Sequence, residues 1–145
     1  MKEEFMKIAL KEAKKSFKHN EVPVGCVIVK NNKIIAKAHN IKEKKHCVLY
    51  HAEMLAIKNA SRKLNNWRLN DCDIYVTVQP CPMCSSAIKQ ARIKTIYYGV
   101  DNKNNILSEQ ILHDSDINSS VNVSNKIMEE ECKNLIQKFF KNMRK

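Results

Sequence analysis

The chain has 145 residues, 43% of them hydrophobic, and carries a formal net charge of +11. This length fits a single domain over residues 1–145, which can bury a core without disulfides. No apolar run approaches the ~20 residues that a membrane-spanning helix needs, and the acidic N-terminus lacks the apolar segment of a secretory signal. These features argue against a membrane protein or a secreted protein, so we expect a cytoplasmic location.

The positive charge suits an anionic partner such as nucleic acid. A lysine-rich source proteome would produce the same excess, and the many Lys and Asn residues beside only two Gly support that alternative. Charge alone therefore leaves both interpretations open.

The first half of the chain predicts two helices and a hairpin. Apolar residues recur at helical spacing over residues 2–19, with lysines and glutamates on the other face. A β-rich run at 24–29 is followed by Asn31-Asn32, which suits a tight turn, and then by a returning strand that begins near residue 34. Residues 40–50 are polar and basic and predict a loop, which leads into a helix over about 51–64.

The second half predicts an alternation of strands and helices. Strands are predicted at 74–78, 93–98 and 121–123, the second of them ended by Gly99. Helices are predicted from Pro82, which suits a first helical turn, to about 92, near 106–112, and over 128–143. Strand–helix–strand alternation requires crossovers onto a shared sheet. We therefore expect a layered α/β domain.

The chain has six cysteines, and cytosolic thiols stay reduced. Cys81 and Cys84 form a C-x-x-C on the first turn of a predicted helix, where both lie on one face. Their sulfurs could bind a single tetrahedral zinc ion, and the helix N-terminus favours the thiolate form. A redox motif of the thioredoxin type is the alternative, and the spacing alone does not decide between the two.

His51 also begins a predicted helix and follows a loop, so its ring could reach the same metal. Two thiolates and one imidazole leave zinc with one open position, which is typical of catalytic rather than structural sites. His46 and Cys47 are the only nearby candidates for a fourth ligand, and we expect neither to close the site.

Glu53 lies two positions after His51, so it need not bind the metal itself. Zinc lowers the pKa of a bound water to about 7, and a neighbouring carboxylate can accept its proton and deliver it to a substrate. A second His-x-Glu at residues 19–21 is interpreted as a helix end. His-x-Glu combined with Pro-Cys-x-x-Cys, each beginning a helix, is the signature of the zinc-dependent base deaminases. Such enzymes replace C–NH₂ with C=O.

Seven segments, in order and over nearly the whole chain, resemble the tRNA-specific adenosine deaminases. They are Glu21-Val22-Pro23-Val24-Gly25, Ala38-His39-Asn40, His51-Ala52-Glu53-Met54, Trp67-Arg68-Leu69, Tyr75-Val76-Thr77-Val78, Pro80-Cys81-Pro82-Met83-Cys84 and Glu130-Glu131-Cys132.

This resemblance implies a three-layer α/β/α cytidine deaminase-like fold with a mixed central sheet of about five strands. It implies a homodimer with one zinc ion per subunit, which converts adenosine to inosine at the first anticodon (wobble) position of tRNA. It also implies that Asn40 contacts the target nucleotide. The loop at 40–50 and the last helix would help to hold the anticodon stem-loop.

Several positions depart from the family pattern. Gln79 stands where glutamate is usual, and Tyr50 replaces a small residue. Residues 99–102 are irregular where the family shows Gly-Ala-x-Asp, the glycine-rich stretch that follows is replaced at 104–106, and Ser119 stands where an Asn-His pair is common. None of these positions is His51, Glu53, Cys81 or Cys84. The departures therefore concern how the substrate is bound and which RNA is preferred.

Three alternatives remain open at this point. The first is a small-molecule cytidine, cytosine or guanine deaminase on the same fold, which would not need a basic surface. The second is a non-catalytic deaminase-like subunit that binds tRNA, although such a subunit is expected to lack the acid that Glu53 supplies. The third is a structural zinc module with a fourth protein ligand.

Overall fold

The structure is a computed structural model that describes residues 2–102, 106–114 and 121–143. No helix within these ranges is both long and apolar enough to cross a membrane. The elements, in chain order, are α1 (Lys2–Lys18), β1 (Gly25–Lys30), β2 (Lys33–His39), α2 (Lys42–Lys45), α3 (Ala52–Leu64), β3 (Cys72–Val78), α4 (Pro82–Gln90), β4 (Thr95–Val100), α5 (Ile106–His113), β5 (Asn122–Ser124) and α6 (Glu129–Met143).

The five strands form one mixed sheet in the order β2-β1-β3-β4-β5. β1 runs antiparallel to both β2 and β3, whereas β3, β4 and β5 are parallel. Parallel neighbours need a crossover connection, and α4 and α5 supply one each. The predicted mixed sheet of about five strands is confirmed.

Helices cover both faces of the sheet, which makes the three predicted layers. One core cluster packs apolar residues of α3, α4 and α5 against the sheet, and the other packs α1 and the start of α6 against its opposite face. Along β1, Cys26 and Ile28 belong to the first cluster, and Val27 and Val29 belong to the second. A strand buried on both faces reads as a continuous apolar run, which is why residues 24–29 stand out in the sequence.

The two glycines of the chain lie where helices approach the sheet most closely. A Cβ added to Gly25 would lie 1.9 Å from the carbonyl oxygen of Ala9 in α1, and one added to Gly99 would lie 2.3 Å from Cys132 Sγ in α6. Left-handed backbone positions are taken instead by other residues, among them Asn31 and Asn32 in the predicted tight turn, because asparagine tolerates this conformation better than most residues do.

Two sequence predictions need correction. The segment 40–50 was predicted as a loop, but it contains the short helix α2. The carboxylate of Glu21, 2% exposed, accepts the backbone N–H groups of Glu43 and Lys44 over 3.0 and 2.9 Å and so caps this turn from 22 and 23 residues away. Gly99 does not end its strand, because β4 begins at Thr95 and continues to Val100. The departures at 104, 105 and 119 lie outside the described residues.

The two terminal helices bury only part of their apolar residues. In α1 the most buried apolar residues are Met6, Ala9, Leu10 and Ala13, whereas Phe5, Ile8 and Phe17 are only partly buried. In α6 Cys132 and Phe139 are buried, whereas Phe140 is 47% exposed. An apolar stripe that is wider than its contact with the sheet leaves its margins exposed.

Candidate metal and catalytic site

Two helix N-termini meet at one end of the sheet, and each begins with a candidate metal ligand. His51 is the N-cap of α3 and Cys81 is the N-cap of α4, both with extended backbone (φ −73°, ψ 150° and φ −70°, ψ 170°). Neither side chain makes a capping hydrogen bond to its own helix. Because neither side chain is engaged in capping, both can share another partner.

The structure brings together the three residues predicted as zinc ligands. His51 Nδ1 lies 3.7 Å from Cys81 Sγ and 3.5 Å from Cys84 Sγ, and the three atoms lie within 4.8 Å of one another. A tetrahedral zinc ion with bonds of about 2.3 Å to sulfur and about 2.1 Å to nitrogen separates its N and S ligands by about 3.6 Å. The donor set and its spacing therefore fit zinc.

No fourth protein ligand joins this cluster among residues 2–102, 106–114 and 121–143. The two candidates considered from the sequence, His46 and Cys47, are not members, and His46 is exposed in a left-handed conformation after α2. A metal bound by these three side chains would keep a position for a non-protein ligand, as catalytic zinc sites do.

The electrostatics of the cluster favour a thiolate at Cys81. Its hydrogen bond with Cys84, assisted by His51, lowers the pKa of Cys81 to about 4. The same pairing, together with burial, raises the pKa of Cys84, and Cys81 raises the pKa of His51. Thiolate and imidazole are the ligand forms that zinc binding requires, and the imidazole in the cluster favours a metal site over a redox C-x-x-C.

Glu53 lies in the first turn of α3, and its side chain is 3% exposed. It lines the same cavity as His51 and Cys81 without belonging to the ligand cluster. Burial raises the pKa of Glu53 to about 7, so near neutral pH its carboxyl group exists in both protonation states. A carboxyl group of this kind suits proton transfer.

Asn40 is buried beside the same cavity and is held on several sides. Its Oδ1 accepts the backbone N–H of Ala52 over 2.8 Å, and its Nδ2 donates to the carbonyl of Val22 over 3.1 Å. Its own carbonyl accepts the hydroxyl of Ser16 over 2.8 Å. Asn40 thus caps α3 from outside the helix, a role that the sequence analysis missed; the signal was a helix that starts with histidine, a residue that caps poorly.

The cavity above these residues has a volume of about 430 Å³. Aliphatic side chains from the sheet, Val78 and Val100, form part of its wall, and Phe140 of α6 reaches it from the other side. Lys42 and Asp101 also line it. An apolar cleft with a few convergent polar groups is typical of a small-molecule or nucleobase site.

Two aromatic residues differ in burial, and Tyr98 is buried in the core. Trp67 is 53% exposed, and Arg68 lies over its ring at 4.3 Å. Trp67 lines a separate groove of about 400 Å³ between α3 and α4, together with Ile57 and Met83. It is therefore not a core residue.

Comparison with known proteins gives one family. Residues 1–100 match the family model of the cytidine and deoxycytidylate deaminase zinc-binding region. A Streptococcus pyogenes protein is 44% identical over 140 residues, which are 94% of this chain and 88% of that protein. An Aquifex aeolicus protein is 44% identical over 99% of this chain and 96% of its own length, and a Bacillus subtilis protein is 40% identical over 97% and 89%. All three are named tRNA-specific adenosine deaminase.

Solved structures agree with these relatives. A structure from a study of A-to-I editing by tRNA:A34 deaminases at the wobble position of transfer RNA superposes with a TM-score of 0.87 at 32% identity, over 91% of this chain and 98% of that chain. A guanine deaminase from Bacillus subtilis is 37% identical, but it superposes with a TM-score of 0.65 over 68% of this chain and 64% of that one. The likeness to the guanine deaminase is therefore less extensive.

Proposed function

This chain belongs to the tRNA-specific adenosine deaminases, a family built on the cytidine and deoxycytidylate deaminase zinc-binding region, and we propose that it converts adenosine to inosine at the wobble position of tRNA. The observation that carries the proposal is the buried carboxyl group of Glu53, which lies in one cavity with the cluster of His51, Cys81 and Cys84. Hydrolytic deamination needs a group that transfers protons next to a metal that activates water.

His51, Cys81 and Cys84 would hold one zinc ion in each subunit. When bound, zinc supplies the Lewis acidity that makes water a nucleophile at neutral pH. The three side chains already lie at the separation that such an ion requires, so binding needs little rearrangement of the protein.

Glu53 moves the protons of the reaction. It accepts a proton from the water that attacks C6 of adenine, and it delivers that proton to N1 of the ring. Glu53 then moves the proton of the new C6 hydroxyl to the amino nitrogen, the bond between C6 and that nitrogen breaks as the C6 carbonyl forms, and adenosine and water have given inosine and ammonia. The pKa of Glu53, raised to about 7 by burial, matches a group that must both accept and donate at neutral pH.

The remaining polar groups of the cavity would hold the nucleotide. Asn40 is proposed to contact the target nucleotide, and its hydrogen bonds to Ala52 and Val22 fix its amide in place. The segment 40–50, with Lys42 at the cavity, and α6, with Phe140, are proposed to hold the anticodon stem-loop. The net charge of +11 suits such a polyanion.

We further propose that the protein is a homodimer located in the cytoplasm, where tRNA is modified. The family resemblance implies the homodimer, and we propose that the second copy covers the groove between α3 and α4, which exposes Trp67 beside Ile57 and Met83. Light scattering on the purified protein should give twice the chain mass of 16.8 kDa; the mass of a single chain would contradict the dimer.

A guanine deaminase is the second candidate, because the Bacillus subtilis enzyme is 37% identical over 68% of this chain. This match covers less of the chain than the matches to the tRNA-specific adenosine deaminases, which extend over nearly its full length. Guanine deamination is therefore the second candidate and not the first. Guanine should therefore be tested alongside RNA.

The test is to incubate the purified protein with an anticodon stem-loop that carries a wobble adenosine and to measure inosine by chromatography after nuclease digestion. Glu53→Gln should reduce the rate by about 10³-fold, within the usual 10²–10⁴ range for a lost acid–base group, while it retains zinc. Glu109→Gln, an exposed glutamate on α5, is the matched control and should react normally. Deamination of guanine without formation of inosine would show that the protein is a small-molecule deaminase.

A further inference from the structure

Gln79 lies in the wall of the cavity described above. It directly follows β3 and stands two residues before Cys81, and it is 7% exposed. A buried polar side chain at this point needs a hydrogen-bond partner, and the partner indicates what the residue does.

Two hydrogen bonds join Gln79 to the chain that follows β4. Its backbone N–H donates to the carbonyl of Val100 over 2.9 Å, and its Oε1 accepts the backbone N–H of Asn102 over 3.0 Å. The last paired residues of the parallel strands β3 and β4 are Val78 and Val100. After this last pair, the side chain of Gln79 takes the place of a strand carbonyl and accepts the backbone N–H of Asn102.

The segment held in this way is part of the cavity. Asp101 and Asn102 both line it. The hydrogen bond from Asn102 to Gln79 therefore acts directly on a wall of the cavity. Removing the acceptor at Gln79 would take this bond away from Asn102.

An amide and a carboxylate both supply the acceptor, but only the carboxylate adds a charge. Two acidic side chains, Glu53 and Asp101, already line the cavity, and the proposed substrate carries phosphates. A neutral acceptor at Gln79 holds Asn102 without further repulsion of those phosphates.

We propose that Gln79 is a positioning residue for substrate binding, which keeps the Asp101–Asn102 wall in place by accepting the N–H of Asn102. This inference rests on the proposed function. A wall that contacts parts of the nucleotide away from the reacting C6 would act on the ground state and the transition state alike, so the effect should fall on KM rather than on kcat.

The experiment compares Gln79→Met, which removes the acceptor at similar size, with Gln79→Glu, which keeps it. Gln110→Met, on an exposed residue of α5, is the matched control. Loss of one buried hydrogen bond predicts that Gln79→Met raises KM for the stem-loop about tenfold with kcat within about threefold. Gln79→Glu should recover most of that loss, and its remaining KM excess over the wild type should shrink as added salt screens the new charge.

Backbone amide exchange of Asn102, followed by NMR, gives a readout independent of turnover. Exchange should be faster in Gln79→Met and remain slow in Gln79→Glu. An unchanged KM or unchanged Asn102 exchange in Gln79→Met would overturn the inference, and so would an equal loss of kcat in both variants. A wild-type protein without activity on the stem-loop would overturn the proposed function, whereas normal wild-type turnover with an unaffected Gln79→Met would overturn this inference alone.

Discussion

The starts of α3 and α4 present ligands to the same point but are stabilised differently. At α3 the N-cap is His51. The first N–H of the helix belongs to Ala52 and is accepted by the side chain of Asn40, which lies twelve positions earlier at the end of β2. At α4 the N-cap is Cys81, and the following residue is Pro82, which has no N–H to satisfy.

The α4 start also makes its other bonds locally. The Ser85 N–H donates to the carbonyl of Cys81 over 2.8 Å, and the Ser85 hydroxyl donates to that of Pro80 over 3.3 Å. The cysteine half of the site is therefore determined within residues 80–85, whereas the histidine and glutamate half depends on a distant strand. Substitutions far along the chain should disturb His51 and Glu53 more readily than the cysteines.

The largest effect is expected at the α4 start, from Cys84→Ser. This change removes a buried ligand atom, so zinc content should fall below about 0.1 per chain and inosine formation should be lost, because three protein ligands are the minimum for such a site. Elemental analysis and the stem-loop assay measure both quantities.

Cys47→Ser is the matched control, since Cys47 lies outside the cluster. It should retain full zinc and activity. Loss of zinc in Cys47→Ser, or its retention in Cys84→Ser, would show that the ligand set is wrong.

An intermediate effect is expected from Asn40→Ala, which removes the remote cap of α3. Loss of an N-cap interaction costs about 1–2 kcal/mol, so the free energy of unfolding in urea should fall by that amount, and kcat should fall as Glu53 loses its fixed position. Asn40→Asp keeps the acceptor for Ala52 and should lose less stability than Asn40→Ala.

Asn66→Ala provides the comparison, because Asn66 Oδ1 accepts the N–H of Arg68 over 3.0 Å at an exposed site. It should change stability by less than about 0.5 kcal/mol. If Asn40→Ala and Asn66→Ala behave alike, α3 does not depend on its remote cap.

The smallest effect is expected from Pro82→Ala at the α4 start. Alanine is accepted in a first helical turn, so the change acts mainly through the unfolded chain and should reduce stability by about 0.4–1 kcal/mol. Zinc content and kcat should stay within about twofold of the wild type. If Pro82→Ala lowered the free energy of unfolding as much as Asn40→Ala does, the two helix starts would depend equally on their surroundings.

The sequence predicted those parts of the site that depend on neighbouring residues. His51, Glu53, Cys81 and Cys84 fall at helix starts that proline, spacing and periodicity mark locally. In the structure, His51, Glu53 and Cys81 line one cavity, and Cys84 completes the ligand cluster. Their roles in zinc binding and proton transfer stay predictions until the variants are measured.

The parts that escaped prediction rest on contacts between distant segments. The helix α2 exists because Glu21 caps it from 22 residues away, and Asn40 caps α3 from across a loop. Phe140, 47% exposed, lines the cavity from α6, which follows the last strand of the chain. None of these contacts has a periodicity or a spacing that a single sequence displays.

The contact of α1 with β1 bears on how this chain could change during evolution or in the laboratory. At most buried positions a larger side chain can be accommodated when flexible neighbours move. At Gly25 the neighbour is the backbone of Ala9, which cannot yield without shifting the whole helix. Codon 25 should therefore be among the least tolerant of any amino-acid replacement, although it contributes no side chain to chemistry or to binding.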